Sequence, residues 1–231
     1  MASFPQDLPA MQPQAEEWPV EQLLSWAFDR FHPRLAIASS LGAEDVVLMD
    51  MAQRTRPGFR VFTLDTDFLF PETYALIAQL ETLYGIKVER SRPVLSPDAQ
   101  ILEHGASLWS RDPNLCCEIR KVSPLTKTLA GLDAWVTGIR REQTPARANA
   151  GKLEWDARFG LVKLNPLAAW SHQQVWDYIR AQHLPYNPLH DLNYPSIGCT
   201  HCTRPVQPGE DPRAGRWSQF QKTECGLHAR E

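Results

Sequence analysis

Apolar residues along this chain fall into short continuous runs separated by stretches of helical spacing. Three or four consecutive apolar residues between turns suit strands that are buried on both faces. Such runs predict strands at residues 35–38, 61–64, 86–88, 134–137 and 161–164. Apolar residues at every third or fourth position predict helices over 20–31, 43–51, 71–84 and 115–130, and from Ser171 onward. Strands that alternate with helices predict an α/β fold with a doubly wound, mostly parallel sheet.

Local signals refine two of the predicted helices. Ser171 with Gln174 three residues later matches a capping box, which predicts a helix that begins just after Ser171. The helix over 115–130 contains Pro124, which should interrupt it. Ser123 is placed to cap its second half. Periodicity stops after Leu184, so the C-terminal part should be irregular.

Composition and charge exclude several classes of partner. The 231-residue chain is 43% hydrophobic and has a formal net charge of −3, which gives no overall attraction to nucleic acid or to an anionic membrane. Residues 1–18 are rich in proline and glutamine, have no signal-peptide pattern, and should be loose. No apolar run reaches membrane-spanning length. An odd number of cysteines without a secretion signal indicates a reducing compartment, and we expect the cytoplasm.

The cysteines divide into two pairs, Cys116-Cys117 and Cys199-x-x-Cys202, and a single Cys225. Four thiolates can saturate one metal centre, whereas a separate thiolate can do redox or nucleophilic chemistry. Adjacent cysteines converge poorly on one ion, because neighbouring side chains leave the backbone in different directions. The favoured prediction is a [4Fe-4S] cluster, whose several irons can each take one thiolate. Zinc, and buried free thiols or a disulfide, are the alternatives.

Small, hydroxylated and charged residues follow three of the predicted strands. In doubly wound sheets, ligands bind beyond the carboxyl ends of the strands, and exposed N–H groups at a helix N-terminus can hold a phosphate. One such segment alone could equally be a helix cap or a solvated face, but three at one sheet edge favour an anion or nucleotide site. The segments are Ser39-Ser40-Leu41-Gly42-Ala43-Glu44-Asp45, Leu64-Asp65-Thr66-Asp67, and Gly138 with Arg140, Arg141 and Arg147.

A series of motifs, in this order, resembles those of the iron–sulfur type of assimilatory adenylyl-sulfate (APS) reductase, within the phosphoadenylyl-sulfate reductase family. The motifs are Ser39–Asp45, Leu64–Thr66 with Phe70–Tyr74, Cys116–Lys121, Gly138–Arg141, Cys199–Pro205, Gly215–Trp217 and Lys222–His228. The resemblance implies an adenine-nucleotide α-hydrolase-like fold. It also implies reduction of adenosine 5′-phosphosulfate to sulfite and AMP with thioredoxin as electron donor, in sulfate assimilation and cysteine biosynthesis. One departure is Asp67, where the family often has glycine.

The resemblance also implies roles for individual residues. Cys225 would be the nucleophile and would take the sulfonyl group as an S-sulfocysteine. Cations must neutralise the sulfate oxygens before a thiolate can approach, and His228 with an arginine-lined pocket would lower the pKa of that thiol. The predicted metal ligands are Cys116, Cys117, Cys199 and Cys202. The predicted substrate-binding residues are Ser39, Ser40, Gly42, Glu44, Asp45, Leu64, Asp65, Thr66, Lys121, Gly138, Arg140, Arg147, Arg213, Arg216 and His228.

We expect three segments: a loose stretch over 1–18, one nucleotide-binding domain over 19–205 that includes the cluster site, and a mobile tail over 206–231. The tail would close over the substrate and then carry Cys225 to the reductant. The cluster would order the pocket and position Lys121 rather than supply electrons. Expected partners are the sulfonucleotide and, transiently, thioredoxin, but neither nucleic acid nor a membrane. Family members are often homo-oligomers.

Three alternatives differ from this prediction in substrate or class. The first is a phosphoadenylyl-sulfate (PAPS) reductase, whose substrate carries an additional 3′-phosphate. The second is an ATP-dependent tRNA thiolase, but its Ser-Gly-Gly-x-Asp-Ser loop does not match Gly42-Ala43-Glu44-Asp45. The third is a zinc-binding interaction protein, which would leave the nucleotide loops and Cys225 unexplained.

Overall fold

A six-stranded sheet is the central element of the computed structural model, which describes residues 5–220, 222, 226 and 227. Its strands are β1 (Leu35–Ala38), β2 (Val61–Leu64), β3 (Val88–Ser91), β4 (Ala134–Val136), β5 (Leu153–Asp156) and β6 (Leu161–Leu164), in the order β3-β2-β1-β4-β6-β5. β1 runs parallel to β2 and β4, and β4 runs parallel to β6, whereas β5 is antiparallel to β6. The predicted α/β class with a mostly parallel sheet is therefore confirmed.

Burial explains which strands the sequence revealed. β4 and β6 are buried along their whole length and β1 over its first three residues, as their apolar sequences require. β5 was not predicted, because only Leu153 of its four residues is buried and the strand lies at the edge of the sheet. β3 begins at Val88 rather than at residue 86, because Val88 is its first buried side chain.

The described part of the chain contains nine α-helices. They are α1 (Leu8–Glu17), α2 (Val20–Phe31), α3 (Ala43–Thr55), α4 (Pro71–Tyr84), α5 (Pro97–His104), α6 (Leu108–Arg111), α7 (Pro113–Cys117), α8 (Ser123–Leu129) and α9 (His172–Ala181). The predicted capping box of α9 is confirmed, since the Ser171 hydroxyl accepts from the backbone N–H of Gln174 at 3.1 Å. None of these helices is long and apolar enough to cross a membrane.

The expectation of a loose N-terminal segment is wrong for Leu8–Glu17, which form α1. Leu8 and Ala15 are buried, and the Glu16 carboxylate accepts from the guanidinium of Arg141 at 2.5 Å and from the backbone of Lys152 at 2.7 Å. Prolines and glutamines suggested disorder, but these tertiary contacts hold the segment as a helix.

The predicted break at Pro124 is also wrong. α7 continues through a π-helical turn over Glu118–Val122 directly into α8. Ser123 has helical dihedrals (φ −61°, ψ −48°) and therefore does not cap a new helix. In the π-helical turn, the backbone N–H of Ser123 bonds to the carbonyl of Glu118, five residues back. The wider turn lets the helix pass the proline without stopping.

The chain divides into two compact units, which are described separately below. The first unit comprises residues 1–63, 77–89 and 129–186, and it contains β1, β4, β5 and β6. The second unit comprises residues 64–76, 90–128 and 187–231, and it contains α5, α6 and α7 together with short 3-10 turns near the C-terminus.

Candidate functional site

In the first unit, the loop between β1 and α3 is held by its own side chains. The Asp45 carboxylate accepts from the backbone N–H of Ser40 at 2.6 Å and from its hydroxyl at 2.9 Å. The Ser39 hydroxyl accepts from the N–H of Leu41 at 3.0 Å, and Leu41 adopts a positive φ of 62°. These bonds shape the loop that leads into the N-terminus of α3, where backbone N–H groups and the helix dipole suit an anion.

Asp45 is the buried centre of this loop. Burial raises the pKa of its carboxyl from the ordinary 3.8 to about 6, although the two bonds from Ser40 act against that shift. The neighbouring Glu44 raises this pKa further. The sequence pointed to Asp45 as a binding residue, but its carboxylate is used here to shape the loop.

The loop after β4 approaches the β1 loop closely at Gly138. A Cβ at this position would lie 2.4 Å from Asp45 Oδ1 and 3.0 Å from Glu44 Cβ, so any side chain larger than glycine would displace the β1 loop. Arg140 is 4% exposed, and it donates to Glu44 at 2.9 Å, to Glu142 and to the carbonyl of Trp170 at 3.3 Å. The structure therefore uses Arg140 to join the two loops. Ser39, Ser40, Gly42, Glu44, Asp45, Gly138 and Arg140 thus belong to one pair of neighbouring loops.

In the second unit, the loop after β2 is organised around Asp65, which is 1% exposed. Its carboxylate accepts from the Tyr74 hydroxyl at 2.7 Å and from Arg92 Nη2 at 2.9 Å. Burial acts to raise the pKa of Asp65, but these bonds outweigh it and hold the pKa below its ordinary value. Asp67 has a φ of 59°, a left-handed conformation that favours glycine and that aspartate is among the residues to tolerate. Leu64 ends β2, half-buried.

Four of the five cysteines meet in the second unit. Cys116 and Cys117 from α7, with Cys199 and Cys202 at a 3-10 turn, line one partly open cavity. The pKa of Cys116 is raised to about 12, mainly by burial and to a smaller extent by the neighbouring thiols. The pKa of Cys202 is raised to about 11, mainly by burial and to a smaller extent by Cys199. Four such thiols ionise together only when a cation draws them to the thiolate form.

The sulfur donors of this cavity suit a soft metal centre. Among the described residues, no group of three or more histidine, cysteine, aspartate or glutamate side chains is already gathered closely enough to hold a metal ion. The four sulfur donors instead face a shared space, with Thr66 Oγ1 lying 3.3 Å from Cys199 Sγ. On one side, His201 stacks on Trp109 with ring centroids 4.7 Å apart, and Phe68 contacts His201 edge-on at 4.9 Å. Soft sulfur donors in such a recess fit an iron–sulfur cluster.

Cations gather around Trp217, which also lines the cavity. The Arg216 guanidinium lies 4.5 Å from the ring centroid, the Lys222 ammonium 5.5 Å and the Lys121 ammonium 6.0 Å. Like charges repel one another, so three of them around one indole indicate a site for negative charge. This surface, Trp217 with Lys121, Arg216 and Lys222, is called the cationic cluster below.

Arg213 shares a partner with Arg216. Both guanidinium groups approach the Ser196 hydroxyl, Arg216 at 3.1 Å and Arg213 at 3.5 Å. Gly198 makes this arrangement possible, since a Cβ there would lie 2.3 Å from Arg216 Nη2. Of the predicted cations in the second unit, the structure therefore places Lys121 and Arg216 on one ring, and Arg213 beside Arg216.

Some site residues were predicted but cannot be located, and others were missed. Cys225 and His228 lie outside the described residues. Arg120, which the sequence analysis did not single out, is 1% exposed and donates to Gln100 at 2.8 Å, to the carbonyl of Thr66 at 3.1 Å and to Asp67 at 3.0 Å. It lies within the Cys116–Lys121 motif, but that position does not reveal partners so distant along the chain.

The fold of this chain also occurs in solved structures of other proteins. A phosphoadenylyl-sulfate reductase from Candida auris, solved as a phosphate complex, aligns with a TM-score of 0.77 and 31% identity over 88% of this chain and 99% of that one. Yeast FAD synthetase aligns with a TM-score of 0.59 and 19% identity over 89% of this chain and 70% of that one, and it shares the fold alone. The class is therefore an α/β protein of the adenine-nucleotide α-hydrolase-like fold, as predicted.

Sequence comparison is more specific. An adenosine 5′-phosphosulfate reductase from Halalkalibacterium halodurans is 48% identical over 89% of this chain and 90% of its own length. A phosphoadenosine 5′-phosphosulfate reductase from Gloeobacter violaceus is 47% identical over 94% of this chain and 91% of its own length. The phosphoadenosine phosphosulfate reductase domain matches residues 34–205, and this chain belongs to that family. The prediction of an oxidoreductase that acts on a sulfur group is confirmed.

Proposed function

We propose that this protein reduces adenosine 5′-phosphosulfate to sulfite and AMP, with thioredoxin as the electron donor. The observation that carries the proposal is the four-thiol cavity beside the cationic cluster, in a chain of this family. Relatives from Halalkalibacterium halodurans and Shouchella clausii, at 48% and 46% identity, are named for this substrate. The reaction belongs to sulfate assimilation, and the thioredoxin requirement favours the cytoplasm.

The four clustered cysteines are proposed to hold a [4Fe-4S] cluster. Four sulfur donors that line one cavity and nearby positive charge support this assignment. Cys116 and Cys117 are adjacent, which suits separate irons of a cluster better than one zinc ion. When bound, the cluster supplies a rigid anionic centre that ties Cys116-Cys117 to Cys199 and Cys202 and keeps Lys121 in place. Iron analysis of anaerobically purified protein tests this point. Zinc at one equivalent without iron would overturn the assignment.

The remaining residues are proposed to bind and orient the nucleotide. Loops of the first unit, with Ser39, Ser40, Gly42, Glu44, Asp45, Gly138, Arg140 and Arg147, would hold the adenosine phosphate. In the second unit, Leu64, Asp65 and Thr66 of the β2 loop are likewise proposed to be substrate-binding residues. Lys121, Arg213 and Arg216 would neutralise the sulfate oxygens, because guanidinium and ammonium groups form strong charge-assisted hydrogen bonds with sulfate.

Sulfonyl transfer then needs one thiolate. Cys225 is proposed to attack the sulfate sulfur: a sulfur–sulfur bond forms, the bond from sulfur to the bridging oxygen breaks, and AMP leaves with the electron pair. A thioredoxin dithiol supplies two electrons, becomes a disulfide, and releases sulfite from the S-sulfocysteine. The tail over 206–231 is proposed to move between these two steps, and His228 to lower the pKa of the thiol.

Reduction of the 3′-phosphorylated nucleotide is the second candidate. The Gloeobacter violaceus relative, 47% identical, carries that name. The two substrates differ by one phosphate, so kinetic comparison separates them directly. Sulfite release from each nucleotide, with thioredoxin or glutathione as donor, should show a higher kcat/KM for adenosine 5′-phosphosulfate with thioredoxin. The reverse preference would establish the second candidate, and no sulfite from either would refute both.

The intermediate gives a sharper test. Protein mixed with adenosine 5′-phosphosulfate and no reductant should release AMP once per active site, and the C-terminal peptide should gain the mass of one SO3 group at Cys225. Cys225→Ser should still bind nucleotide but form no adduct, because a hydroxyl is a far poorer nucleophile near neutral pH. An adduct on another cysteine, or turnover by the serine variant, would mean that the wrong thiol is assigned.

A further inference from the structure

One neutral side chain in the first unit connects three of the residues expected to bind nucleotide. Gln143 ends a 3-10 turn over Arg141–Gln143 in the loop after β4. Its Oε1 accepts from Arg147 Nη1 at 2.6 Å and from the backbone N–H of Arg140 at 3.0 Å. Its Nε2 donates to the carbonyl of Gly138 at 3.4 Å.

The chemistry of these partners fixes the orientation of the amide. A guanidinium and a backbone N–H can only donate, so the amide oxygen must face Arg147 and Arg140. The Gly138 carbonyl can only accept, so the NH2 group must face it. Glutamate could accept but not donate, and alanine could do neither. Glutamine at this position therefore satisfies both ends of the loop at once.

We propose that Gln143 is a positioning residue that orients the Arg147 guanidinium for nucleotide binding. The proposal rests on the proposed function, because it assigns the nucleotide as the group that Arg147 meets. An arginine side chain has several rotatable bonds, and ordering it before the ligand arrives removes part of the entropic penalty of binding. An amide does this without adding negative charge beside an anion site. The charge of Arg140, in contrast, is compensated by the carboxylates of Glu44 and Glu142.

The test compares Gln143→Ala and Gln143→Glu with a matched control. Gln182 also accepts from an arginine at 2.6 Å, Nη2 of Arg54, but lies at the end of α9 and has no part in the proposed site. Calorimetric titration with AMP should show affinity about tenfold weaker in Gln143→Ala, the size of one lost charge-assisted hydrogen bond. Gln143→Glu should be weaker still, and Gln182→Ala should match the wild type. Circular dichroism confirms that each variant is folded.

Kinetics and a double-mutant cycle distinguish positioning from general damage. With adenosine 5′-phosphosulfate, Gln143→Ala should raise KM and leave kcat nearly unchanged, as expected when binding is lost equally from ground and transition states. In an Arg147→Ala background, the same Gln143→Ala change should have little further effect on AMP affinity, because its partner is already absent.

The failure of the inference can be told from the failure of the proposed function. A wild-type protein that binds no AMP and releases no sulfite would refute the proposed function and the inference with it. An active wild type whose Gln143→Ala variant binds AMP as well as Gln182→Ala would overturn the inference alone. An undiminished effect of Gln143→Ala in the Arg147→Ala background would also overturn it, since Gln143 would then act by another route.

Discussion

Asp45 should make the stability of this protein fall as the pH rises through the mildly acidic range. Its buried carboxyl has a pKa of about 6 in the folded chain, against 3.8 as its ordinary value. Between these two values the folded state binds the proton and the unfolded state does not, so stability decreases with rising pH. A difference of about two pKa units lowers the unfolding free energy by about 3 kcal/mol, and the whole of this loss is reached above a pH of about 7.

Asp45→Asn removes the titration and nearly keeps the shape. Its Oδ1 can still accept from Ser40, so any loss from the amide should be the same at every pH. The difference in unfolding free energy, variant minus wild type, should therefore increase by up to about 3 kcal/mol from pH of about 4 to about 7. Urea unfolding at a series of pH values measures this difference, because other titrating groups are common to both proteins.

A second variant tests the cause of the shift. The Ser40 hydroxyl bond favours the ionised carboxylate, so Ser40→Ala should raise the pKa of Asp45 further. NMR titration of the labelled Asp45 carboxyl carbon reports the midpoint directly. A midpoint near the ordinary value, or a stability difference that stays flat across the pH range, would refute the account of Asp45 as a buried, desolvated carboxyl.

Two further predictions concern packing. Arg120→Met should lower the unfolding free energy by about 2–4 kcal/mol, because the side chain of Gln100 and the carbonyl of Thr66 lose a buried donor. The control is Arg60→Met, which removes an exposed ion pair with Glu89 and should cost less than about 1 kcal/mol. Urea unfolding compares the two, and equal losses would contradict the assigned burial. Gly138→Ala should lower the unfolding free energy by about 1–3 kcal/mol, because its Cβ would clash with Asp45. Gly42→Ala should lower it less, because the Cβ there would meet no atom closer than 3.6 Å. Thermal unfolding checks this pair, and equal midpoints would exclude the clash.

Sequence reasoning worked where a local pattern has one physical solution. Apolar runs gave β1, β2, β4 and β6, and the capping box gave the start of α9, because burial and capping act over a few residues. The same reasoning missed β5, an edge strand with little burial. It also missed α1, because the contacts that stabilise this helix are made with residues 125 or more positions away in sequence.

In the candidate site too, local sequence patterns were informative and contacts between distant residues were not. Cysteine spacing pointed to one centre, and four thiols do line one cavity. Arg120 could not be found, because its role comes from Gln100, Thr66 and Asp67, which lie 20, 54 and 53 residues away along the chain. Gln143 was hidden among arginines that drew more attention, although its own partners are at most five residues away.

The π-helical turn at Glu118–Val122 marks the place where this helix has room for a change in length. A π-helical turn amounts to one residue inserted into an α-helix, and the helical segments on either side of it keep their register. Deleting one residue inside the turn should therefore restore ordinary α-helical winding and leave Cys116 and Cys117 on one side and the buried Leu125 on the other facing as they do now. A deletion in the α-helical winding after Ser123 would instead rotate the residues that follow by about 100°. Single-residue deletions should therefore disturb the packing of this helix less inside the turn than beyond it.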